Sequence, residues 1–253
     1  PIYKLEHLSN ELGVNLYIKR DDMCGVVLGG NKVRKLEYLL KDAKNKGYDL
    51  VMTTGQAQSN HAMLTAACAR KLKLDCILVL KERGITSRKG NQILNHLMDV
   101  PVHFVDTDSY EDIYEEMDKI AIDLGKKVYK IPCGGSNPLG TLGYVDCMKE
   151  IADTNIHFDH IVCACGSGGT AAGTVLGAKL YLPDTHVTCS MVDEDDFESI
   201  VSNLIKEMIG KTWNAIHYFA FNYYNELEKI DLKELYNKLD VKSTANYNSF
   251  KQE

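Results

Sequence analysis

From residue 48 onward, the sequence alternates short β-branched or apolar runs with longer segments of helical period. This alternation is typical of strand–helix–strand units, in which parallel strands form an open sheet that helices cover. The predicted strands cover residues 50–54, 76–81, 102–106, 128–132, 160–165 and 186–193, and the predicted helices cover residues 60–72, 88–98, 110–124, 139–152, 170–181 and 196–208. The chain is therefore predicted to be an α/β protein with open, mostly parallel, twisted sheets and helices on both faces.

Three of the predicted strand-to-helix loops combine glycine with serine, namely residues 55–59, 134–138 and 166–170. In open parallel sheets, ligands bind beside the carboxyl ends of the strands, where such loops lie. We therefore expect functional residues in these loops.

Charge and composition exclude several classes of partner. The 253-residue chain has a formal net charge of −6 and scattered Lys and Arg residues, which argues against a nucleic-acid partner. No apolar run approaches the roughly 18 residues that span a bilayer, so no membrane partner is expected. The eight cysteines lack the paired spacing of zinc sites. We expect a cytoplasmic protein that holds no metal and acts on a small molecule.

Lys32 follows the pair Gly29 and Gly30 after one residue, where a helical apolar pattern begins. Paired glycines would let the backbone approach a bound molecule closely. A nucleophilic amine at Lys32 would need a pKa below about 10.4, lowered by burial or by the neighbouring cations Arg34 and Lys35. The alternative is an ordinary solvated lysine in the first turn of a helix.

A glycine-rich loop follows the predicted strand 160–165 and precedes a helix of small residues; its candidate binding residues are Gly166, Ser167, Gly168, Gly169 and Thr170. Backbone N–H groups at a helix start lack partners and carry the positive end of the helix dipole, and glycines let a phosphate come close. The spacing matches neither the dinucleotide fingerprint nor the P-loop, so a monophosphate fits better than a nucleotide. The alternative is a plain turn with Thr170 as the helix cap.

The third candidate site is the run Gln58, Ser59, Asn60 and His61, which follows a predicted strand and opens a helix. Its side chains and the amides of the helix start offer several donors that could hold a carboxylate. Ser59 and Asn60 are also good helix-capping residues, and on local evidence alone capping is the preferred interpretation.

Together these segments resemble the D-cysteine desulfhydrase and 1-aminocyclopropane-1-carboxylate deaminase family, one of the tryptophan-synthase-β-like, fold type II pyridoxal phosphate enzymes. The resemblance extends from residue 3 to about residue 208 and rests on five motifs in order, at residues 16–22, 29–36, 58–61, 132–144 and 166–170. It implies a pyridoxal 5′-phosphate cofactor, a small amino-acid substrate and commonly a homodimer. It also implies two α/β lobes, a smaller one of residues 37–136 and a larger one of residues 1–36 and 137–253.

The resemblance also implies roles for individual residues. In such enzymes the lysine after the paired glycines, here Lys32, forms an imine with the cofactor and acts as the base. The turn at Ser59, Asn60 and His61 would hold the substrate carboxylate, with Ser59 as a second catalytic residue. Asn60 would also reach the ring oxygen of the cofactor, and residues 166–170 would hold its phosphate.

The sequence departs from the family pattern after Lys211. There we find neither the Gly-Tyr-Gly-like loop nor the late strand that bring tyrosines and a partner for the pyridine nitrogen into such sites, and Tyr223 and Tyr224 lie in a different context. We therefore expect the C-terminal part of the larger lobe to be atypical or truncated.

This departure orders the hypotheses about function. Opening of the cyclopropane substrate depends on those missing groups, so the first hypothesis is elimination of sulfide from D-cysteine to give pyruvate, ammonia and hydrogen sulfide. The alternatives are the deaminase and a cofactor-binding relative without turnover.

Overall fold

The computed structural model describes residues 1–192 and 195–219, with side chains up to Gly210. This part of the chain contains eight strands and eight α-helices. The strands are β1 (Ile2–Lys4), β2 (Tyr17–Lys19), β3 (Leu50–Gln56), β4 (Asp75–Lys81), β5 (Val102–Val105), β6 (Val128–Ile131), β7 (His160–Cys165) and β8 (His186–Met191). The helices are α1 (Glu6–Leu12), α2 (Lys32–Asn45), α3 (Asn60–Lys71), α4 (Asn91–Leu97), α5 (Tyr110–Leu124), α6 (Pro138–Ala152), α7 (Gly169–Tyr181) and α8 (Phe197–Phe219).

The predicted alternation of strands and helices is confirmed. Two boundaries differ from the prediction by three residues or more. Helix α8 ends at Phe219 and not at residue 208, and helix α4 begins at Asn91 and not at residue 88. The backbone of Gly90 has a φ of +54°, a left-handed conformation that cannot continue a right-handed helix.

The chain divides into two compact units, Pro1–Gly135 and Ser136–Glu253. Residues 1–36 make their contacts with the first unit, whereas the family resemblance groups them with the larger lobe. The lobe boundaries that the resemblance implies stay a prediction. Among the described residues, no helix is long and apolar enough to cross a membrane.

The first unit is built on a four-stranded parallel sheet with the strand order β5-β4-β3-β6. Its central strand β3 is buried from Leu50 to Gly55, as expected for a parallel strand covered on both faces. Side chains of β3, β4 and α5 form one core cluster, which contains Leu50, Met52, Ile77, Val79, Ile113 and Met117. The buried sheet holds the loop after β3 in a defined position.

The second unit pairs β7 with β8 in parallel and packs α6, α7 and α8 around one core. Helix α7 lies unusually close to α6 because it carries two glycines on the contact side. A Cβ atom at Gly173 would lie 2.5 Å from the backbone oxygen of Thr141, and one at Gly177 would lie 2.8 Å from Cβ of Met148. This close packing holds the helix whose start carries the glycine-rich loop.

Gly173→Ala is expected to lower the free energy of unfolding by about 1–3 kcal/mol, because the new methyl group must displace backbone in a well-packed contact. Gly210→Ala is the matched control, since a Cβ atom there would meet none of the described atoms within 4 Å. That control should be neutral or stabilising by up to about 1 kcal/mol, through better helix propensity. Chemical denaturation of both variants measures the difference, and equal effects would contradict the packing argument.

Candidate functional site

Lys32 is the first residue of α2, and its side chain is half-buried. Among the described residues, its Nζ atom makes no hydrogen bond or ion pair. Burial lowers the pKa of Lys32 below its usual 10.5, and the neighbouring Cys133 opposes this shift. The structure therefore holds an amine that loses its proton more readily than a solvated lysine does, which a nucleophile requires.

The neighbouring cations do not cause this shift, contrary to one of the two expected mechanisms. Arg34 forms an ion pair with Asp21, at 2.9 Å between Nε and Oδ2. Lys35 is fully buried, and its Nζ donates a hydrogen bond to the backbone oxygen of Gly134 at 3.1 Å. Desolvation of Lys32 itself is the main cause of the lowered pKa.

The paired glycines before Lys32 also have a different explanation from the expected one. Gly29 has a φ of +64°, and a Cβ atom there would lie 1.9 Å from the backbone oxygen of Asp22. Gly30 has a φ of +124° and donates its N–H to the backbone oxygen of Asp21 at 2.9 Å. At Gly29, close approach of the chain to itself is sufficient reason for a glycine.

Ser59 is the N-cap of α3, and its Oγ accepts a hydrogen bond from the backbone N–H of Ala62 at 3.2 Å. Gly55 makes room for it, because a Cβ atom at Gly55 would lie 2.5 Å from that Oγ. The capping interpretation is therefore confirmed for Ser59, whereas Asn60 is the first residue of the helix itself. Capping uses the hydroxyl as an acceptor, so its proton is still available for donation to a ligand.

The side-chain amide of Asn60 is oriented by a chain of hydrogen bonds that ends on backbone atoms. Asn91 donates from Nδ2 to the backbone oxygen of Gln58 at 2.9 Å and to Oδ1 of Asn60 at 2.7 Å. A carbonyl oxygen can only accept, so the contacting atom of Asn91 must be its nitrogen. The other hydrogen of that nitrogen then needs an acceptor, so Asn60 turns its oxygen toward Asn91. The Nδ2 donors of the exposed Asn60 are left for a ligand.

Gln58 holds this arrangement in place. Its Nε2 donates to the backbone oxygens of Ile85 at 2.7 Å and Lys89 at 3.1 Å, and its Oε1 accepts from the backbone N–H of Asn91 at 2.9 Å. Gln58 belongs to the polar run that the sequence marks out, but nothing in the sequence indicated Asn91. It lies 31 positions after Asn60 and meets it only in the folded chain.

His61 is buried, with 3% of its surface exposed. Its Nε2 lies 2.9 Å from Oγ1 of Thr53, which donates its own proton to the backbone oxygen of Ile131. Nε2 therefore carries the imidazole proton, and the buried Nδ1 has no hydrogen-bond partner in the described part of the chain. Burial, followed by the charges of Lys32 and Lys35, lowers the pKa of His61 to about 3. His61 is thus a neutral ring at physiological pH.

Cys133 and Tyr110 are further polar residues in this part of the first unit that sequence reasoning missed. The Cys133 thiol contacts the Tyr110 hydroxyl, with 3.3 Å between Sγ and the oxygen. The ammonium of Lys81 lies over the Tyr110 ring, 3.6 Å from its centre. Burial raises the pKa of Tyr110, so this phenol stays protonated. The cysteine follows strand β6, a position where functional residues are common.

In the second unit, the glycine-rich loop joins β7 to the start of α7. Gly168 is the N-cap, with a φ of +80°, and it offers no side chain to cap the helix. Thr170 is the second residue of α7, so the interpretation of Thr170 as the cap is wrong. A Cβ atom at Gly168 would lie 2.5 Å from Cγ2 of Ile200, so this glycine is needed where α8 packs against the loop.

Ser136 completes this loop, although sequence reasoning marked only the segment that contains it. Its Oγ accepts from the backbone N–H of Gly169 at 3.2 Å and lies 2.8 Å from Oγ of the exposed Ser167. Two hydroxyls and the amides of a helix start therefore gather at one point, which suits an anion such as a monophosphate. The binding roles of residues 166–170 stay predictions.

Comparison with known proteins places the chain in a family. The family model described as "Pyridoxal-phosphate dependent enzyme" matches residues 1–217. A "Putative 1-aminocyclopropane-1-carboxylate deaminase" of Pyrococcus horikoshii is 45% identical over 213 residues, which cover 82% of this chain and 65% of the relative. A "D-cysteine desulfhydrase" of Yersinia enterocolitica is 41% identical over 215 residues, covering 79% of this chain and 64% of the relative.

Solved structures agree with this assignment. The structure titled "Crystal Structure Analysis of the ACC deaminase homologue" is 43% identical, with a TM-score of 0.76, and the match covers 83% of this chain and 66% of that one. Threonine deaminase isoform 2 of Solanum lycopersicum, at 22% identity and a TM-score of 0.61, shares the fold over 76% of this chain and 50% of its own. The chain thus spans a little under two thirds of the length of the two curated relatives described above.

The resemblance seen in the sequence motifs is therefore confirmed by independent comparison of the sequence and of the fold. Most of the chain is matched, from residue 1 to residue 217 near the end of α8. The chain belongs to the pyridoxal-phosphate dependent enzyme family, has the fold type II, tryptophan-synthase-β-like architecture, and has pyridoxal 5′-phosphate as its cofactor.

Proposed function

We propose that this protein is a pyridoxal phosphate-dependent lyase that eliminates sulfide from D-cysteine and gives pyruvate, ammonia and hydrogen sulfide. The observation that carries the proposal is the half-buried Lys32, whose pKa is lowered by desolvation. A second support is the likeness to a relative that bears the name D-cysteine desulfhydrase.

The residues present fit the cofactor. A partly desolvated amine at Lys32 suits covalent attachment to an aldehyde. The Nδ2 donors of Asn60 suit the anionic ring oxygen, because Asn91 already occupies the acceptor oxygen of that amide. The hydroxyls of Ser136 and Ser167, beside the amides at the start of α7, suit the phosphate.

The chain's own residues then account for the reaction steps. When bound, the cofactor supplies an electron sink for the bonds at the substrate α-carbon. Neutral Lys32 would take the proton from that carbon and hold it at Nζ. The Ser59 hydroxyl and the first amides of α3 would hold the substrate carboxylate at the positive end of the helix dipole. His61, uncharged because of its lowered pKa, would add no competing positive charge.

The second candidate is deamination of 1-aminocyclopropane-1-carboxylate. The observation that favours it is the 45% identity to the relative named as a putative deaminase of that substrate. The two candidates share the residues that hold the cofactor and differ in product, 2-oxobutanoate against pyruvate with sulfide. Tyr223 and Tyr224, which bear on the deaminase chemistry, lie outside the described residues.

One preparation of the full chain can test both candidates. Cofactor binding is titrated by the visible absorption of the protein-bound cofactor, and sulfide, pyruvate and 2-oxobutanoate are measured with each substrate. Sulfide and pyruvate in equal amounts from D-cysteine would support the proposal, whereas 2-oxobutanoate alone would replace it with the deaminase. Cofactor binding without any product would favour a relative without turnover.

Ser59→Ala is expected to lower turnover at least about tenfold as well as stability, because it removes both a cap and a substrate donor. Loss of the cap alone costs about 0.5–2 kcal/mol of folding free energy. Ser109→Ala is the matched control, since Ser109 caps α5 in the same way, with Oγ accepting from the N–H of Asp112. Steady-state kinetics and thermal melts of both variants separate the effects. Unchanged turnover per folded molecule of Ser59→Ala would leave capping as its sole role.

Asn91→Asp is expected to weaken cofactor binding more than Asn91→Ala does. An aspartate accepts where asparagine donates, so Asn60 would rotate its Nδ2 toward residue 91 and present its oxygen to the cofactor. A lost hydrogen bond of this kind is worth about 1.5–3 kcal/mol when one partner is charged, which is roughly 10- to 100-fold in affinity. Asn45→Ala, at the exposed end of α2, is the control. Absorbance titration gives the affinities, and wild-type affinity of Asn91→Asp would refute this orientation.

A further inference from the structure

Two cysteines of the second unit face each other across neighbouring strands. Cys163 on β7 and Cys189 on β8 are register partners, and their Sγ atoms lie 3.8 Å apart. Both side chains are half-buried and pack against the core under α7. The proposed function uses neither of them.

The surroundings of the pair favour a thiolate at Cys163. The hydroxyl of Thr174 on α7 is buried without a hydrogen-bond partner among the described residues, and a thiolate at Cys163 would give it an acceptor. The Cys189 thiol, and then the Thr174 hydroxyl, lower the pKa of Cys163 in spite of burial. The same contact raises the pKa of Cys189, so Cys163 is the thiol of the pair that loses its proton more readily.

Other thiols of the chain lie in different environments. Burial raises the pKa of Cys68 to about 11 and that of Cys76 to about 12, so both stay protonated and unreactive. Cys24 is exposed to solvent. The contact between Cys163 and Cys189 thus joins a thiol whose pKa is lowered to a second thiol.

The backbone geometry permits a bond between the two sulfurs. Neighbouring strands lie about 4.7–4.9 Å apart, which falls within the Cα separations of roughly 4.4–6.8 Å found for disulfides. Facing residues of parallel strands place their Cβ atoms near the upper limit for a relaxed bridge, so the bond would be strained. Strained disulfides are easily reduced and occur as reversible bonds more than as structural ones.

We propose that Cys163 and Cys189 are a modification site, a thiol pair that hydrogen peroxide converts into a reversible disulfide. The Cys163 thiolate attacks one peroxide oxygen, the O–O bond breaks, and a sulfenic acid forms while hydroxide leaves and takes up a proton as water. The Cys189 thiol then gives up its proton, attacks the Cys163 sulfur and expels the second water. Two thiols and one peroxide thus become one disulfide and two waters, with two electrons passing from sulfur to oxygen.

The test is peptide mapping of the full chain in the Cys24→Ser background, which removes the exposed thiol. The reduced protein is treated with one equivalent of peroxide, free thiols are alkylated, and the protein is digested with trypsin without reductant. The expected product links the peptide of residues 150–179 to that of residues 180–206 through Cys163 and Cys189. Two thiols per chain should be lost, and dithiothreitol should restore both.

Cys163→Ser and Cys189→Ser should each abolish the linked peptide, whereas Cys165→Ala should retain it. Thermal melts would show whether any of these variants folds poorly. In that case the peptide mapping of the chain that retains both cysteines is still a sufficient test. Retention of all thiols would overturn the proposal. So would a bridge from Cys165, a bridge between two chains, or a sulfinic acid at Cys163 beside a free Cys189. None of these outcomes depends on cofactor binding or on turnover.

Discussion

Lys32→Arg is expected to abolish turnover, with a loss of at least about a thousandfold, while the protein stays folded. Arginine keeps its proton at every accessible pH, so it can neither form an imine nor accept a proton from the substrate. General base assistance alone contributes about 10²- to 10⁴-fold to rates. The positive charge and most of the buried stem are retained, so the effect on stability should be small.

The measurement pairs kinetics with identification of the attachment point. Borohydride reduction of the cofactor-loaded protein, followed by peptide mapping, should place the added mass on Lys32 and should leave the Lys32→Arg variant unlabelled. Lys41→Arg, an exposed position on the same helix, is the matched control and should behave as wild type. A label on Lys19, on Lys35 or on any other lysine would show that Lys32 has been assigned the wrong role.

The second large effect is on the pH dependence of stability and comes from His61. In the folded chain its pKa is lowered from 6.5 to about 3, so the ring stays neutral while the unfolded chain takes up a proton below pH 6.5. Stability is therefore fully present above pH 6.5 and falls as the pH decreases toward 3. The loss should amount to roughly 1.5 kcal/mol between pH 6.5 and pH 5, and to several kcal/mol at lower pH.

Urea denaturation at several pH values tests this expectation through the difference between variants. His61→Phe removes the titrating ring and should flatten the acid side of the stability profile relative to wild type. His157→Gln removes an imidazole whose side chain is 68% exposed and should leave the slope unchanged. If wild type and His61→Phe lose stability in parallel from pH 6.5 to pH 5, then His61 takes up a proton in the folded chain as well. That result would contradict the prediction that its ring stays neutral.

Much of the fold could be predicted from the chain itself, because the signals are local. Short apolar runs separated by segments of helical period predict strands and helices, and the strand from residue 160 to Cys165 was predicted with both ends correct. The helix that ends at Leu124 was also predicted correctly, since Gly125 adopts the left-handed conformation that ends helices. The three loops that combine glycine with serine were also located correctly, because they too depend on local signals.

Local signals could not separate a ligand site from a structural role at single residues. Gly29 suggested room for a ligand, yet the backbone of Asp22 occupies that space. Ser59 could be interpreted as a helix cap or as a substrate-binding residue. The observed cap uses the hydroxyl as an acceptor, so the hydroxyl proton can still be donated to a ligand. In both cases the role of the residue depends on which atoms surround it in the folded chain.

The sequence by itself determined the order of strands and helices, the family and the lysine that heads α2, because these depend on periodicity and on motifs read along the chain. The tertiary structure decided the burial that lowers the pKa of Lys32, the amide orientation that Asn91 imposes on Asn60, and the contact between Cys163 and Cys189. Each of these depends on atoms that only folding brings together, and desolvation and hydrogen bonds act over a few ångströms of space, whatever the separation along the chain.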